Sequence, residues 1–178
     1  DIGRADLALL CVKSFNTKSA VEQIKPILGQ NTKILTLQNG IGNVEIISEI
    51  AGEDKVIAGV TNQGATLIAA GKIRHAGTGE TIIGSVDGKT PVELRAIREI
   101  FNQVGLETKM SRDIKSLIWS KLIINAGINA LTAITRLPNG KLTEYEGTRR
   151  ILRDAVTEAA RIAKRKRVKL IFEDPLAK

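Results

Sequence analysis

The chain has 178 residues with 43% hydrophobic content, enough for one domain or two small ones with a real core, which excludes a disordered chain. A single cysteine, Cys11, excludes an internal disulfide, and with His75 as the single histidine we expect no metal site. The net charge of +8 suits an anionic partner: a phosphate cofactor, a carboxylate substrate or nucleic acid.

Both ends of the sequence predict that this is an internal piece of a longer protein. Asp1 runs directly into a strand-like segment, and Lys178 follows closely on a helical pattern. There is no signal-peptide pattern, and the sequence shows no run of about 18–20 apolar residues of the kind that spans a membrane. We therefore expect a cytoplasmic protein with no membrane partner.

The first part of the chain alternates strands and helices. Apolar runs at 6–12, 33–37 and 56–60 predict strands, and the apolar spacing at 17–28 and 43–50 predicts helices. Strands without internal alternation are typical of a parallel sheet covered on both faces. This order predicts βαβ units.

The glycine-rich middle and the end of the chain have a different character. Short β runs at 71–75 and 81–83 predict a hairpin or antiparallel edge, followed by a helix over 91–104 and a last strand over 106–110. From Arg112 onward the pattern is helical. We therefore predict an α/β fold, with part of a parallel sheet in domain 1–111 and part of an all-helical domain in 112–178.

A polar stripe of three residues, Lys121, Asn125 and Asn129, interrupts an otherwise apolar helical segment. Positions i, i+4 and i+8 share one helix face, and so apolar a helix is expected to be mostly buried. A buried amide without a partner costs about 1–3 kcal/mol, and burial lowers a lysine pKa. A substrate cleft would supply the partner, with Lys121 as general acid toward a carbonyl. Periodicity alone also allows the stripe to face water.

Two loops follow predicted strands directly. Lys13-Ser14 follows the first, and residues 38–43, Gln-Asn-Gly-Ile-Gly-Asn, follow the second. Open α/β sheets bind ligands outside the carboxyl ends of their strands, and glycine lets a backbone approach a ligand closely. The same residues also suit a plain tight turn and helix cap.

Together these segments resemble the ketopantoate reductase family. The matching stretches, which follow the family's order, are 11–14, 37–43, 64–66, 119–134 and Pro-Asn-Gly-Lys-Leu at 138–142. The resemblance implies a Rossmann domain followed by a helical domain, with the active site in the cleft between them. It also implies NADPH-dependent reduction of the 2-keto acid ketopantoate in pantothenate biosynthesis, and we expect a homodimer.

The resemblance also implies roles for individual residues. Lys121 resembles the family's catalytic lysine, which gives a proton to the ketone oxygen and also binds substrate. The implied substrate-binding amides are Asn125, Asn129 and Asn139. The implied cofactor contacts are Lys13, Asn39 and Ala70.

The family's Gly-x-Gly-x-x-Gly phosphate loop is expected before Asp1, and its later serine and glutamate beyond Lys178. We therefore expect these residues alone to be inactive, and the choice between NADPH and NADH stays open. Another Rossmann dehydrogenase of 2-keto or 3-hydroxy acids remains an alternative. Nucleic-acid binding by the basic run 161–169 is a further alternative. The run lacks interleaved aromatic residues, so a solvated helix face is favoured.

Cys11 lies in a predicted buried strand, and we expect it in the core.

Overall fold

The computed structural model describes residues 3–176, which divide into two compact units. The first unit ends at Ile114 and the second begins at Lys115, close to the predicted boundary at Ser111. Each unit is built around its own hydrophobic core.

In its described residues, the first unit contains seven strands and three α-helices. The strands are β1 (Ala5–Leu10), β2 (Leu28–Thr36), β3 (Val56–Thr61), β4 (Gly64–Ala69), β5 (Lys72–Gly77), β6 (Thr81–Ser85) and β7 (Thr108–Met110). The helices are α1 (Thr17–Ile24), α2 (Asn43–Ala51) and α3 (Val92–Gln103). Five strands form one sheet in the order β1-β2-β3-β6-β7. β1, β2 and β3 are parallel, which confirms the predicted α/β class.

Both faces of this sheet are covered, which explains the unbroken apolar runs. Ile34 and Leu35 are neighbours on β2 and are fully buried on opposite faces, because successive strand side chains alternate. Ile34 joins a cluster with residues of α1 and α2, including Val21 and Ile47. Leu35 joins a second cluster with Leu94 and other residues of α3. The helices thus flank the sheet as the βαβ pattern predicted.

The glycine-rich middle forms a hairpin and an antiparallel strand, as predicted, but the two predicted β runs do not pair with each other. The 71–75 run pairs with β4 instead, forming a separate two-stranded sheet, and β6 joins the main sheet antiparallel to β3. Thr61 and Thr81 share a hydroxyl hydrogen bond of 2.8 Å across that junction. A Cβ on Gly79 would lie 2.6 Å from the Cβ of Asn62, so glycine permits the close return of the chain beside β3.

Cys11 also departs from expectation. It lies just after the last residue of β1 and is exposed, because the strand ends at Leu10, before the apolar run does. Leu10 is the buried residue at that end of the strand.

The second unit consists mainly of two helices, α4 (Ile114–Thr135) and α5 (Glu146–Arg165). Trp119 and Ile123 of α4 form a core with Val156 and Ala163 of α5 and with Val168 beyond it. α4 approaches α5 closely at Gly127, where an added Cβ would lie 2.8 Å from Val156. Trp119 therefore packs in the core of this unit.

α4 satisfies by length and composition the requirements for a membrane span, as core helices of globular proteins also do. The sequence reading that no segment is long and apolar enough is corrected on this point. Lys121, Asn125 and Asn129 interrupt the apolar run, but the mean hydropathy of the helix remains high enough for a membrane span.

Candidate active site

Two strand-end loops lie side by side at one edge of the sheet. We call residues 11–14, after β1, the first loop and residues 37–42, after β2, the second loop. Because β1 and β2 are parallel neighbours, their carboxyl ends meet at the same edge. The Ser14 hydroxyl donates to the Asn39 carbonyl at 3.3 Å, and the Gln38 amide donates to the Val12 carbonyl at 2.7 Å.

The second loop depends on two glycines. Gly40 and Gly42 have φ of 91° and 93°, a region that side chains with a Cβ rarely adopt, while the space around both is open. Gly42 is the N-cap of α2 and its carbonyl accepts the Ile46 N–H at 3.1 Å. Backbone conformation, rather than crowding, is thus the reason for glycine here.

Lys13 and Asn39, the predicted cofactor contacts, are both exposed on these loops. Within residues 3–176 no hydrogen bond or ion pair occupies the Asn39 amide or the Lys13 ammonium. A cation and an amide at the carboxyl edge of a sheet can hold phosphate or hydroxyl oxygens of a nucleotide.

Ala70 is placed differently. It lies in the turn between β4 and β5, at the far end of a hairpin whose base follows β3. Six strand residues rise about 20 Å, so the turn is about that far from the hairpin base. The cofactor role of Ala70 stays a prediction.

The polar stripe lies on α4. Lys121 and Asn125 are half-buried, whereas Asn129 is exposed. Burial lowers the pKa of the Lys121 ammonium below its ordinary value, because desolvation disfavours the charged form. No hydrogen bond within the described chain uses the amide side chains of Asn125 or Asn129. Such a face can offer a proton donor and two amides to a polar ligand.

The expectation that α4 is mostly buried is correct only for its first half. From Ala126 onward several residues on one face are exposed, and Ile134 is 80% exposed. The reason is that α4 packs on α5 through the opposite face, which carries Gly127 and the buried Leu131.

Asn139 lies in a short 3-10 turn, Asn139–Lys141, and is exposed. Its carbonyl accepts the Leu142 N–H at 3.2 Å, and the fully buried Leu142 anchors the turn. The Lys141 ammonium pairs with Glu144 at 2.8 Å. The turn is therefore held firmly while its asparagine stays accessible.

Sequence reasoning did not predict the hydrogen bonds among Gln38, Thr17 and Asn43, which lie beside the two loops. Gln38 donates to Thr17, and Thr17 donates to Asn43, each at 2.9 Å. Thr17 and Asn43 are buried. The available signal was a pair of polar residues, each at the start of a helix that directly follows a strand-end loop.

In residues 3–176, no three side chains of His, Cys, Asp or Glu lie close enough together to hold a metal ion.

Comparison with known families agrees with both units. A family model described as "Ketopantoate reductase PanE/ApbA" matches residues 1–88, and its companion for the C-terminal region matches residues 113–178. The chain is 38% identical over 165 residues to 2-dehydropantoate 2-reductase of Halobacterium salinarum, covering 91% of this chain and 53% of the relative. The chain spans about half the length of the curated relatives it matches.

Solved structures show the same fold. A PanE/ApbA family ketopantoate reductase from Ralstonia eutropha superposes with a TM-score of 0.85 at 34% identity, covering 98% of this chain and 56% of that one. D-mandelate dehydrogenase in complex with NADH superposes with a TM-score of 0.89 at 22% identity, covering 98% and 58%. The second likeness concerns the fold, which is Rossmann-like in these neighbours.

Proposed function

The chain belongs to the ketopantoate reductase family, and from that premise we propose that it is part of an NADPH-dependent enzyme that reduces 2-dehydropantoate to pantoate. The reaction serves pantothenate and coenzyme A biosynthesis in the cytoplasm. The substrate is a small 2-keto acid, and the functional protein is a homodimer. Domain 1–111 binds the dinucleotide and 112–178 contributes to substrate binding.

The observation that carries this proposal is the polar stripe on α4. Lys121 is a half-buried cation, one and two helical turns before Asn125 and Asn129, whose amides lack partners among the described residues. A lysine can pair with a carboxylate or donate a proton to a ketone oxygen, and side-chain amides can donate hydrogen bonds to hydroxyl and carboxylate oxygens. A plain solvent-facing stripe would not bury its lysine.

The three residues of the stripe, together with Asn139, act on the substrate in the proposed reaction, and Lys121 both binds it and donates a proton. A nicotinamide cofactor, held in part by Lys13 and Asn39, would supply the hydride that the ketone carbon receives. The Lys121 ammonium donates a proton to the ketone oxygen, so that no free alkoxide forms, and then regains a proton from water. Asn125, Asn129 and Asn139 donate hydrogen bonds that hold the substrate oxygens in place.

The strand-end loops supply part of the cofactor site. Lys13 and Asn39 fit the nicotinamide and ribose end of a dinucleotide, because they present a cation and an amide at the carboxyl edge of the parallel sheet. No Gly-x-Gly-x-x-Gly loop occurs within residues 1–178. The preference for NADPH over NADH and the contribution of Ala70 belong to the proposal.

Substitution of Lys121 in the full-length protein tests the proposal. With ketopantoate as substrate and NADPH consumption followed by absorbance, Lys121→Ala should lower kcat by about 10²–10⁴-fold, the usual contribution of a positioned proton donor. Lys115→Ala is the matched control, since Lys115 is an exposed lysine at the start of the same helix.

Wild-type turnover by a folded Lys121→Ala protein would contradict the proton-donor role. Absence of any ketopantoate-dependent NADPH consumption in the wild type, with turnover of another 2-keto or 3-hydroxy acid instead, would replace the substrate while keeping the reaction class.

A further inference from the structure

We propose that Gln38 is a positioning residue that locks the two strand-end loops together and so sets the geometry of the cofactor contacts at Asn39 and Lys13. The inference rests on the proposed function. It concerns a residue that touches neither the substrate nor the reacting atoms.

The Gln38 side chain forms hydrogen bonds to the first loop, to the start of α1 and to the end of β2. Its amide nitrogen donates to the Val12 carbonyl at 2.7 Å and to the Thr17 hydroxyl at 2.9 Å. Its carbonyl oxygen accepts from the Thr36 hydroxyl at 2.9 Å. The reversed amide would set its oxygen against the Val12 carbonyl, so the network permits one orientation.

Buried partners extend this network to Asn39. Thr17 is fully buried and donates to the Asn43 oxygen at 2.9 Å. The Asn43 amide nitrogen, which is also buried, donates to the Asn39 carbonyl at 3.2 Å, and the Ser14 hydroxyl donates to the same carbonyl at 3.3 Å. The Asn39 carbonyl is thus held from both sides while its amide remains available.

The second loop needs such support because of its backbone. Gly40 and Gly42 make the backbone just after Asn39 conformationally free. Glycine loses more conformational entropy on becoming ordered than any other residue does. When a loop is already ordered before the ligand binds, the binding reaction loses less conformational entropy and the affinity is higher. Gln38 therefore acts on cofactor affinity and orientation through Asn39.

The test uses the full-length enzyme with three variants: Gln38→Ala, Asn39→Ala and the double variant. Each should raise the cofactor Kd and lower kcat/KM by about 10-fold or more. The double variant should be little worse than Asn39→Ala, because Gln38 acts through Asn39. Gln38→Glu should resemble Gln38→Ala, since a carboxylate cannot donate to Val12 and Thr17.

Thr32→Val is the matched structural control. Thr32 is also buried, and its hydroxyl accepts from the Gly29 N–H at 2.7 Å and donates to the Ala5 carbonyl, near the opposite end of β2. It should lower stability without changing the cofactor Kd. If Gln38→Ala does not fold, Thr17→Val removes the next link in the network and tests the same effect.

The outcomes separate the two proposals. Additive effects of Gln38→Ala and Asn39→Ala, or a cofactor Kd unchanged in Gln38→Ala, would overturn the positioning role while Asn39→Ala still supports the cofactor site. No effect of Asn39→Ala on cofactor binding would overturn the assignment of Asn39 itself, and the inference would fall with it.

Discussion

At the scale of single residues, the half-buried position of Lys121 suits the proposed role of proton donor. Desolvation lowers the pKa of its ammonium, which makes proton release to a ketone oxygen easier. The effect requires the half-buried position on α4. Lys115, at the start of the same helix, is exposed instead.

This lowered pKa has a consequence for the pH dependence of the reaction. The proton donor must be charged, so ketone reduction by the full-length enzyme should fall as pH rises through the Lys121 pKa. The midpoint should lie below the ordinary pKa of a lysine side chain, because burial lowers the pKa of Lys121. In Lys121→Arg any residual rate should stay constant through this range, because a guanidinium keeps its proton. The measurement is kcat/KM against pH for both proteins.

If kcat/KM falls at high pH with the same midpoint in the wild type and in Lys121→Arg, the group that titrates is not Lys121. Parallel measurement of folding by circular dichroism over the same range is the control, since a loss of structure at high pH would lower both curves together.

At the scale of elements, the packing of α4 on α5 explains a glycine inside a long helix. Glycine costs about 1 kcal/mol relative to alanine in a helix interior. At Gly127 that cost is offset because an added Cβ would lie 2.8 Å from the Val156 methyl and 3.4 Å from Leu152. Val156 is buried and β-branched, so it has little room to rotate away.

Two glycine-to-alanine substitutions should therefore have opposite signs. Gly127→Ala should lower the free energy of unfolding by about 1–3 kcal/mol, because the added methyl overpacks the interface. Gly147→Ala, in the first turn of α5 with open space around it, should raise stability by about 0.5–1 kcal/mol. Denaturant unfolding of the full-length variants measures both. A stabilising Gly127→Ala would show that α4 and α5 do not approach closely.

At the scale of the whole molecule, the net charge of +8 is distributed unevenly. The run of cations from Arg161 to Lys169 is exposed at the end of α5 and beyond it. Within the run, Ala163 and Val168 are buried in the core of the second unit, whereas Ile162 is exposed. This arrangement agrees with a solvated face of an amphipathic helix.

The proposed division of labour between chain segments predicts the behaviour of residues 1–178 expressed alone. They should bind NADPH weakly and show no turnover, because the glycine-rich loop that would hold the pyrophosphate is not among them. Titration of the isolated chain and of the full-length protein with NADPH measures the difference. Turnover by the isolated chain at the full-length rate would contradict this prediction.

By itself, the sequence determined the α/β class, the two parts of the chain and the alignment of Lys121, Asn125 and Asn129 on one face, because helix and strand periodicities are local properties. Only the tertiary structure decided the pairing of β6 with β3, the exposure of Cys11 and Asn129, and the hydrogen-bond partners of Gln38. These depend on contacts between residues distant in sequence, such as Gln38 with Val12 and Thr17 with Asn43. No local pattern encodes which distant partner will satisfy a buried hydrogen-bonding group.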